Sequence, residues 1–196
     1  MAALPLFIFS LLVSTTIAIE NLQNTQVIDV EERMTFRALP RQLTTHKQFY
    51  FHVYFHEIFY GPNNTTVTSA RPNSDFPNFG EISIFDVPLW DSQDANKLIA
   101  RAQGASIQSD QKTIAWHLSF NIVFELPELK GSTLMVMGRA LQLTTPRQYA
   151  IVGGTGVFTL AQGTIYGRML SSTDESLWIE LKIFGEYYTS VENPKW

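Results

Sequence analysis

The stretch of sequence that decides the fold is FYFHVYFHEIFYG, residues 49–61. It contains seven aromatic residues among thirteen and no proline, and its side chains alternate in character as a β-strand requires. One face carries Phe49, Phe51, Val53, Phe55, Glu57 and Phe59. The opposite face is mixed tyrosine, histidine and isoleucine, so we expect the first face to be buried, with the carboxyl group of Glu57 in the middle of an apolar surface.

The rest of the chain also has the pattern of an all-β protein. Short alternating or apolar stretches follow the first strand, at residues 81–87, 99–107, 116–126, 131–143, 149–166 and 178–188. Residues 61–80 are predicted to form a turn, a strand fragment and a loop, so about eight strand segments are predicted in all, joined by short turns. Large aromatic residues and glycines alternate along them, which favours an eight-stranded antiparallel β-barrel, with a β-sandwich as the alternative.

The N-terminal segment has the features of a secretory signal peptide. Residues 1–18, MAALPLFIFSLLVSTTIA, contain an apolar run that is shorter than the ~20 residues needed to span a bilayer. Small residues at Thr16 and Ala18 predict cleavage after Ala18, although no Lys or Arg precedes the apolar run. A buried N-terminal helix is the alternative. Residues 19–48 are predicted to form a flexible leader, and 49–196 the barrel domain.

Composition excludes several classes of function. The 196 residues suffice for one domain, and a net charge of −4 without any basic run argues against nucleic-acid binding. The chain has no cysteine, which excludes disulfides, thiolate nucleophiles and cysteine metal sites. Overlapping glycosylation sequons occur at Asn63 and Asn64 in a predicted turn, and we expect one of them to carry a glycan.

Other motifs carry little chemical information. The GGTG at residues 153–156 is not followed by Lys-Ser/Thr or by a helical pattern, so a hairpin or bulge is predicted there instead of a phosphate loop. His52 and His56 would lie about 13 Å apart on one strand, which is too far for one metal ion. No metal and no cofactor are therefore assigned.

Six segments, taken in order, resemble plant dirigent proteins. They are FYFHVYFHEIFYGPNNTTVTSA, FGEISIFDVPL, IARAQG, LSFNIVFE, GSTLMVMGR and YAIVGGTGVFTLAQGTIYG. The resemblance covers residues 49–184 and is closer to the broad group of that family than to its lignan-forming members. It implies an eight-stranded barrel related to that of allene oxide cyclase, a homotrimer, and a secreted glycoprotein of the plant apoplast or cell wall.

The resemblance also implies a choice of functions. Dirigent proteins lack oxidase activity, and they direct the stereoselective coupling of phenoxy radicals that a laccase or peroxidase makes from monolignols such as coniferyl alcohol, as in lignan biosynthesis. A related group consists of enzymes that act through quinone methides, such as isoflavanol dehydratases that form pterocarpans. A cell-wall protein that binds phenolics or glycans in plant defence is the third possibility. We expect the first.

The resemblance assigns site residues one by one. The acid of the aromatic strand, usually Asp in the family, corresponds to Glu57, and the arginine before the Val-Gly-Gly-Thr-Gly turn corresponds to Arg147. A second acid of lignan-forming members corresponds to Ala140, which cannot transfer a proton. The remaining candidates for substrate binding are Phe55, Phe59, Asp86, Arg101 and Gln103.

Two of these candidates have a structural alternative. Asp86 is also placed to cap the turn at Pro88, and Arg101 to pair with a carboxylate. The chemistry expected of the site itself is general: aromatic walls hold a planar phenol, a carboxyl group exchanges its proton, and a guanidinium group binds a phenolate oxygen.

Overall fold

The computed structural model describes residues 45–73, 75–76, 78–142 and 144–189. In this part of the chain there are nine β-strands and a short 3₁₀ helix. The strands are β1 Thr45–Ile58, β2 Thr66–Ala70, β3 Ile82–Trp90, β4 Leu98–Gln108, β5 Ala115–Phe124, β6 Thr133–Leu141, β7 Arg147–Thr155, β8 Gln162–Ser172 and β9 Ser176–Thr189. The 3₁₀ helix, Gly156–Phe158, lies between β7 and β8. No helix among the described residues is long and apolar enough to cross a membrane.

Eight of the strands close into an antiparallel barrel, as predicted. The order of hydrogen-bonded neighbours runs from β1 to β9 and then back through β8, β7, β6, β5 and β4 to β3. β1 also pairs with β3, through Tyr54 with Trp90 and Phe55 with Leu89, and this pairing closes the circle. The short β2 pairs with the first half of β3 and leaves the second half to β1.

The strand that opens the domain has the predicted orientation. Val53 is 2% exposed, whereas Tyr50 on the opposite face is 52% exposed. β1 pairs along its whole length with β9, from Thr45 with Thr189 to Ile58 with Ser176. The alternation of side chains is therefore fixed on both flanks, and Glu57 lies on the inner face.

One end of the barrel is filled by aromatic rings. The ring of Phe124 lies 5.0 Å from that of Phe51 and 4.9 Å from that of Phe158, measured between centroids. Phe49 contacts Phe158 edge to face at 5.2 Å. These rings pack tightly against one another, which leaves little space for a ligand among them.

Several strand boundaries differ from the predicted ones, and two of these differences concern β1 and β3. β1 begins at Thr45, within the predicted leader, and β3 continues through Pro88 to Trp90. Pro88 is tolerated because β2 pairs with β3 only as far as Phe85 and β1 only from Leu89, so no neighbour needs the missing N–H. The predicted signal peptide and the leader up to residue 44 lie outside the described residues.

Candidate functional site

The half of the barrel away from the aromatic end contains a deep cavity of about 1200 Å³. Small-molecule sites are usually roughly 300–1,000 Å³, so this one accommodates a large ligand or two smaller ones. Its aromatic wall consists of Phe55, Phe59, Phe85, Trp116 and Phe120. β1 thus runs from the closed aromatic end to the cavity.

Glu57 projects into this cavity, as predicted from its position in the strand. The hydroxyl of Thr66 donates a hydrogen bond to its Oε1 at 2.5 Å. Burial raises the pKa of Glu57 above its ordinary value, and the bond from Thr66 and the positive charge of Arg147 offset only part of that effect. The neutral carboxylic acid is therefore favoured more strongly here than in an exposed glutamate.

Arg147, the first residue of β7, also lines the cavity. Its Nη2 donates to the carbonyl oxygen of Gln142 at 3.1 Å, and its positive charge acts on the hydroxyl of Tyr149. The Nε atom is buried and has no hydrogen-bond partner in the part of the chain that the structure describes. An N–H that stays unpaired in a buried position costs about 1–3 kcal/mol.

Tyr149 is a cavity residue that sequence reasoning missed. Its side chain is 4% exposed, and burial raises the pKa of its hydroxyl, which therefore stays protonated. Gly138 makes room for the ring, because a Cβ atom at that position would lie 2.7 Å from Cδ1 of Tyr149. Tyr149 lies two residues after Arg147 and two before Ile151, so strand alternation could have placed its side chain on the inner face.

Ala140 lies in the wall of the same cavity. It is 2% exposed and pairs with Trp116 of the neighbouring β5. A side chain at this position therefore faces the ligand space, and the methyl group leaves that space open where a carboxyl group would occupy it.

The structure does not bring Asp86, Arg101 and Gln103 to the cavity. Asp86 lies between the buried Phe85 and Val87, and strand alternation therefore directs it outward. Arg101 pairs with it on the outer surface, with Nε donating to Oδ1 at 2.6 Å and Nη2 to the backbone oxygen at 3.1 Å. Gln103 is exposed opposite Asp86. The structural alternative for Arg101, an ion pair, is the arrangement observed.

The two sequons lie in the turn between β1 and β2. Both Asn63 and Asn64 are exposed, and the side-chain amide of Asn64 donates to the backbone oxygen of Thr66 at 3.0 Å. Asn64 belongs to the rim of the cavity. Glycosylation at either position stays a prediction.

The outward-facing histidines form local pairs. Nε2 of His52 lies 2.8 Å from Oε1 of Glu180, and the ring of His56 stacks on Trp178 at 3.9 Å. No group of three or more His, Asp or Glu side chains within the described ranges is placed to hold a metal ion.

Comparison with known proteins identifies the family. A family model described as Dirigent-like protein matches residues 48–184. Dirigent protein 11 from Arabidopsis thaliana is 33% identical over 142 residues, which cover 70% of this chain and 74% of that protein. Pterocarpan synthase 1 from Glycyrrhiza echinata is 32% identical over 146 residues, which cover 71% of this chain and 78% of that protein.

The fold agrees with these sequence matches. The solved structure of the pterocarpan synthase dirigent protein GePTS1 is similar with a TM-score of 0.71 and 29% identity, over 79% of this chain and 100% of that chain. A second solved structure, of the pterocarpan synthase dirigent protein PsPTS1, gives a TM-score of 0.67 and 32% identity, over 74% and 97% of the two chains. With its eight-stranded barrel and with most of its length matched, the chain belongs to the dirigent-like protein family.

Proposed function

We propose that the protein binds phenolic radicals in its barrel cavity and directs the stereochemistry of their coupling, with a separate laccase or peroxidase as the source of the radicals. The observation that carries this proposal is one cavity that brings together a carboxyl group with a raised pKa, an arginine and aromatic walls. Family membership supports it.

The aromatic walls supply the orientation that coupling needs. Radical coupling has little barrier of its own, so selectivity depends on which faces of the two rings meet. A facial preference of ~2–3 kcal/mol gives well over tenfold selectivity. Phe55 of β1, Phe59 just after β1 and Phe120 of β5 provide flat surfaces on which planar phenols pack.

The polar residues serve the step that follows coupling. Two radicals join by forming one C–C bond, which leaves quinone methides. When a hydroxyl oxygen then adds to a quinone methide, that hydroxyl loses a proton and the quinone oxygen gains one. In this step Glu57 exchanges the proton, and the guanidinium group of Arg147, which lines the cavity, binds the quinone oxygen as negative charge develops on it.

Coupling of coniferyl alcohol by a laccase, with and without the protein, tests the proposal. We expect chiral chromatography to show an enantiomeric excess only when the protein is present, at an unchanged rate of oxidation. A racemic product would contradict the radical-directing function.

A second function is favoured by the raised pKa of Glu57 together with Ala140. A neutral Glu57 can donate its proton to the benzylic hydroxyl of a phenolic alcohol, so that the C–O bond breaks and water leaves. Loss of the phenolic proton then gives a quinone methide, and an internal hydroxyl closes the ring. The relatives include pterocarpan synthases. Turnover of an isoflavan-4-ol without any oxidant tests this function.

We expect the residue at position 140 to affect whether radical coupling gives lignan-type or other products. Ala140→Asp places a second carboxyl group in the cavity wall, and we expect it to shift the products of coupling toward one lignan enantiomer by about tenfold, or ~1.4 kcal/mol. Ala140→Asn is the control, because it has the same size without an ionisable group. Equal product ratios for wild type, Ala140→Asp and Ala140→Asn would show that this position is irrelevant.

A further inference from the structure

We propose that Thr66 is a positioning residue for the acid of the cavity: it holds Glu57 so that Oε1 stays an acceptor and Oε2 presents the proton to the bound phenol. This inference rests on the proposed function for its consequence in product formation. The orientation of the carboxyl group can be tested without any substrate.

The place of Thr66 is fixed by the strands around it. It is the first residue of β2 and pairs with the buried Phe85 of β3. It is half-buried, whereas the other four residues of β2 are exposed. Thr66 is thus the least exposed residue of the strand, and its hydroxyl donates to Oε1 of Glu57 at 2.5 Å.

The turn between β1 and β2 fastens this pair. The backbone N–H of Thr65 donates to the carbonyl oxygen of Ile58 at 2.8 Å. The backbone N–H of Ile58 donates in return to the hydroxyl oxygen of Thr65 at 2.9 Å. Ile58 and Thr65 are the chain neighbours of Glu57 and Thr66, so both members of the pair are held at a fixed separation by the residues beside them.

The hydrogen bond determines which oxygen of Glu57 does the chemistry. When the hydroxyl of Thr66 donates to Oε1, that oxygen is used as an acceptor and the acid proton resides on Oε2. Glutamate has one more rotatable bond than the aspartate usual at this position of the family, so its carboxyl group needs an additional restraint. Thr66 supplies it.

The other charged and titratable groups of the cavity do not replace Thr66. Arg147 and Tyr149 of β7 act on the site, but Arg147 influences Glu57 only through its charge. At the rim, Nε of Arg71 is paired with Oε2 of Glu81 at 2.7 Å. Asp174 lines the rim in the turn between β8 and β9. Within the described residues, the bond from Thr66 is the one side-chain hydrogen bond to this carboxyl group.

The first test measures Glu57 in the ligand-free protein. Carboxyl ¹³C NMR follows its titration, and the signal is identified by its loss in Glu57→Gln. We expect Thr66→Val, which keeps the shape but removes the donor, to move the titration midpoint to higher pH, because a donor to the carboxylate lowers the pKa. Thr66→Ser should titrate as the wild type does. A midpoint in Thr66→Val equal to that of the wild type would overturn the proposal.

The second test uses product formation. We expect Thr66→Val to reduce product selectivity about tenfold, which is an effect that loss of one hydrogen bond can produce, and to move the pH profile in the same direction as the titration. Thr66→Ser should restore both. The two proposals can fail separately. If Thr66→Val shifts the titration midpoint but the wild-type protein forms no selective product, the proposed function is contradicted and the role of Thr66 stands. A selectivity loss that Thr66→Ser does not restore would contradict the positioning role.

Discussion

Replacing Glu57 by glutamine is expected to abolish the selectivity of radical coupling, or to reduce turnover in the elimination by about 10²–10⁴-fold. The reason is that the amide has nearly the shape of the carboxyl group and keeps an oxygen for the bond from Thr66, but it cannot exchange a proton. The measurement is enantiomeric excess with coniferyl alcohol and a laccase, and the rate with an isoflavan-4-ol without oxidant. Unchanged product chirality would remove Glu57 from the mechanism.

The stability of this variant provides a check that the fold is intact. The folded-state pKa of Glu57 is raised, so its contribution to stability is fully present below the ordinary pKa of a glutamate and is lost as pH rises through the raised value. Glu57→Gln lacks this loss, and its free energy of unfolding should exceed that of the wild type at neutral pH and approach it in acid. Glu128→Gln, which changes an exposed carboxyl group between β5 and β6, is the matched control and should alter neither selectivity nor this difference.

The fold could be predicted because the barrel interior imposes a period of two on each strand. The face of β1 that carries Phe49, Val53 and Glu57 is inward for its whole length, since β9 pairs with it residue by residue. The same rule would have placed Asp86 outside the barrel, because both of its neighbours in β3 are buried apolar residues. Resemblance to a family suggested the opposite, and the physical alternation was the better guide.

The missing parts of the site depend on contacts between distant segments. Thr66 reaches Glu57 only because the turn at residues 59–65 brings β2 back beside the barrel, and a five-residue strand gives little signal of its register. Tyr149 reaches the cavity because Gly138 of another strand leaves space for its ring. The sequence around Glu57 does not show that Thr66 contacts it, and the sequence around Tyr149 does not show that Gly138 leaves space for its ring.

Two adjacent glycines of the GGTG stretch are expected to differ sharply in their tolerance of a methyl group. Both lie in β7, but a Cβ atom at Gly154 would lie 2.3 Å from the backbone oxygen of Phe158 and 2.8 Å from that of Thr133. At Gly153 the nearest atom is the sulfur of Met135, at 3.4 Å. Backbone atoms cannot move aside as the end of a methionine can. We therefore expect Gly154→Ala to lower the free energy of unfolding by at least ~3 kcal/mol.

Gly153→Ala is the matched control, with an expected change of less than ~1 kcal/mol and in the stabilising direction, because alanine restricts the unfolded chain. Urea unfolding of the two variants measures the difference. The clash at Gly154 involves Phe158, whose ring belongs to the aromatic end of the barrel. If the two variants unfold at the same urea concentration, the close approach of the 3₁₀ helix to β7 is not needed for stability. If Gly154→Ala alone is unstable, Gly154 serves to let that helix approach the sheet and close the end of the barrel opposite the cavity.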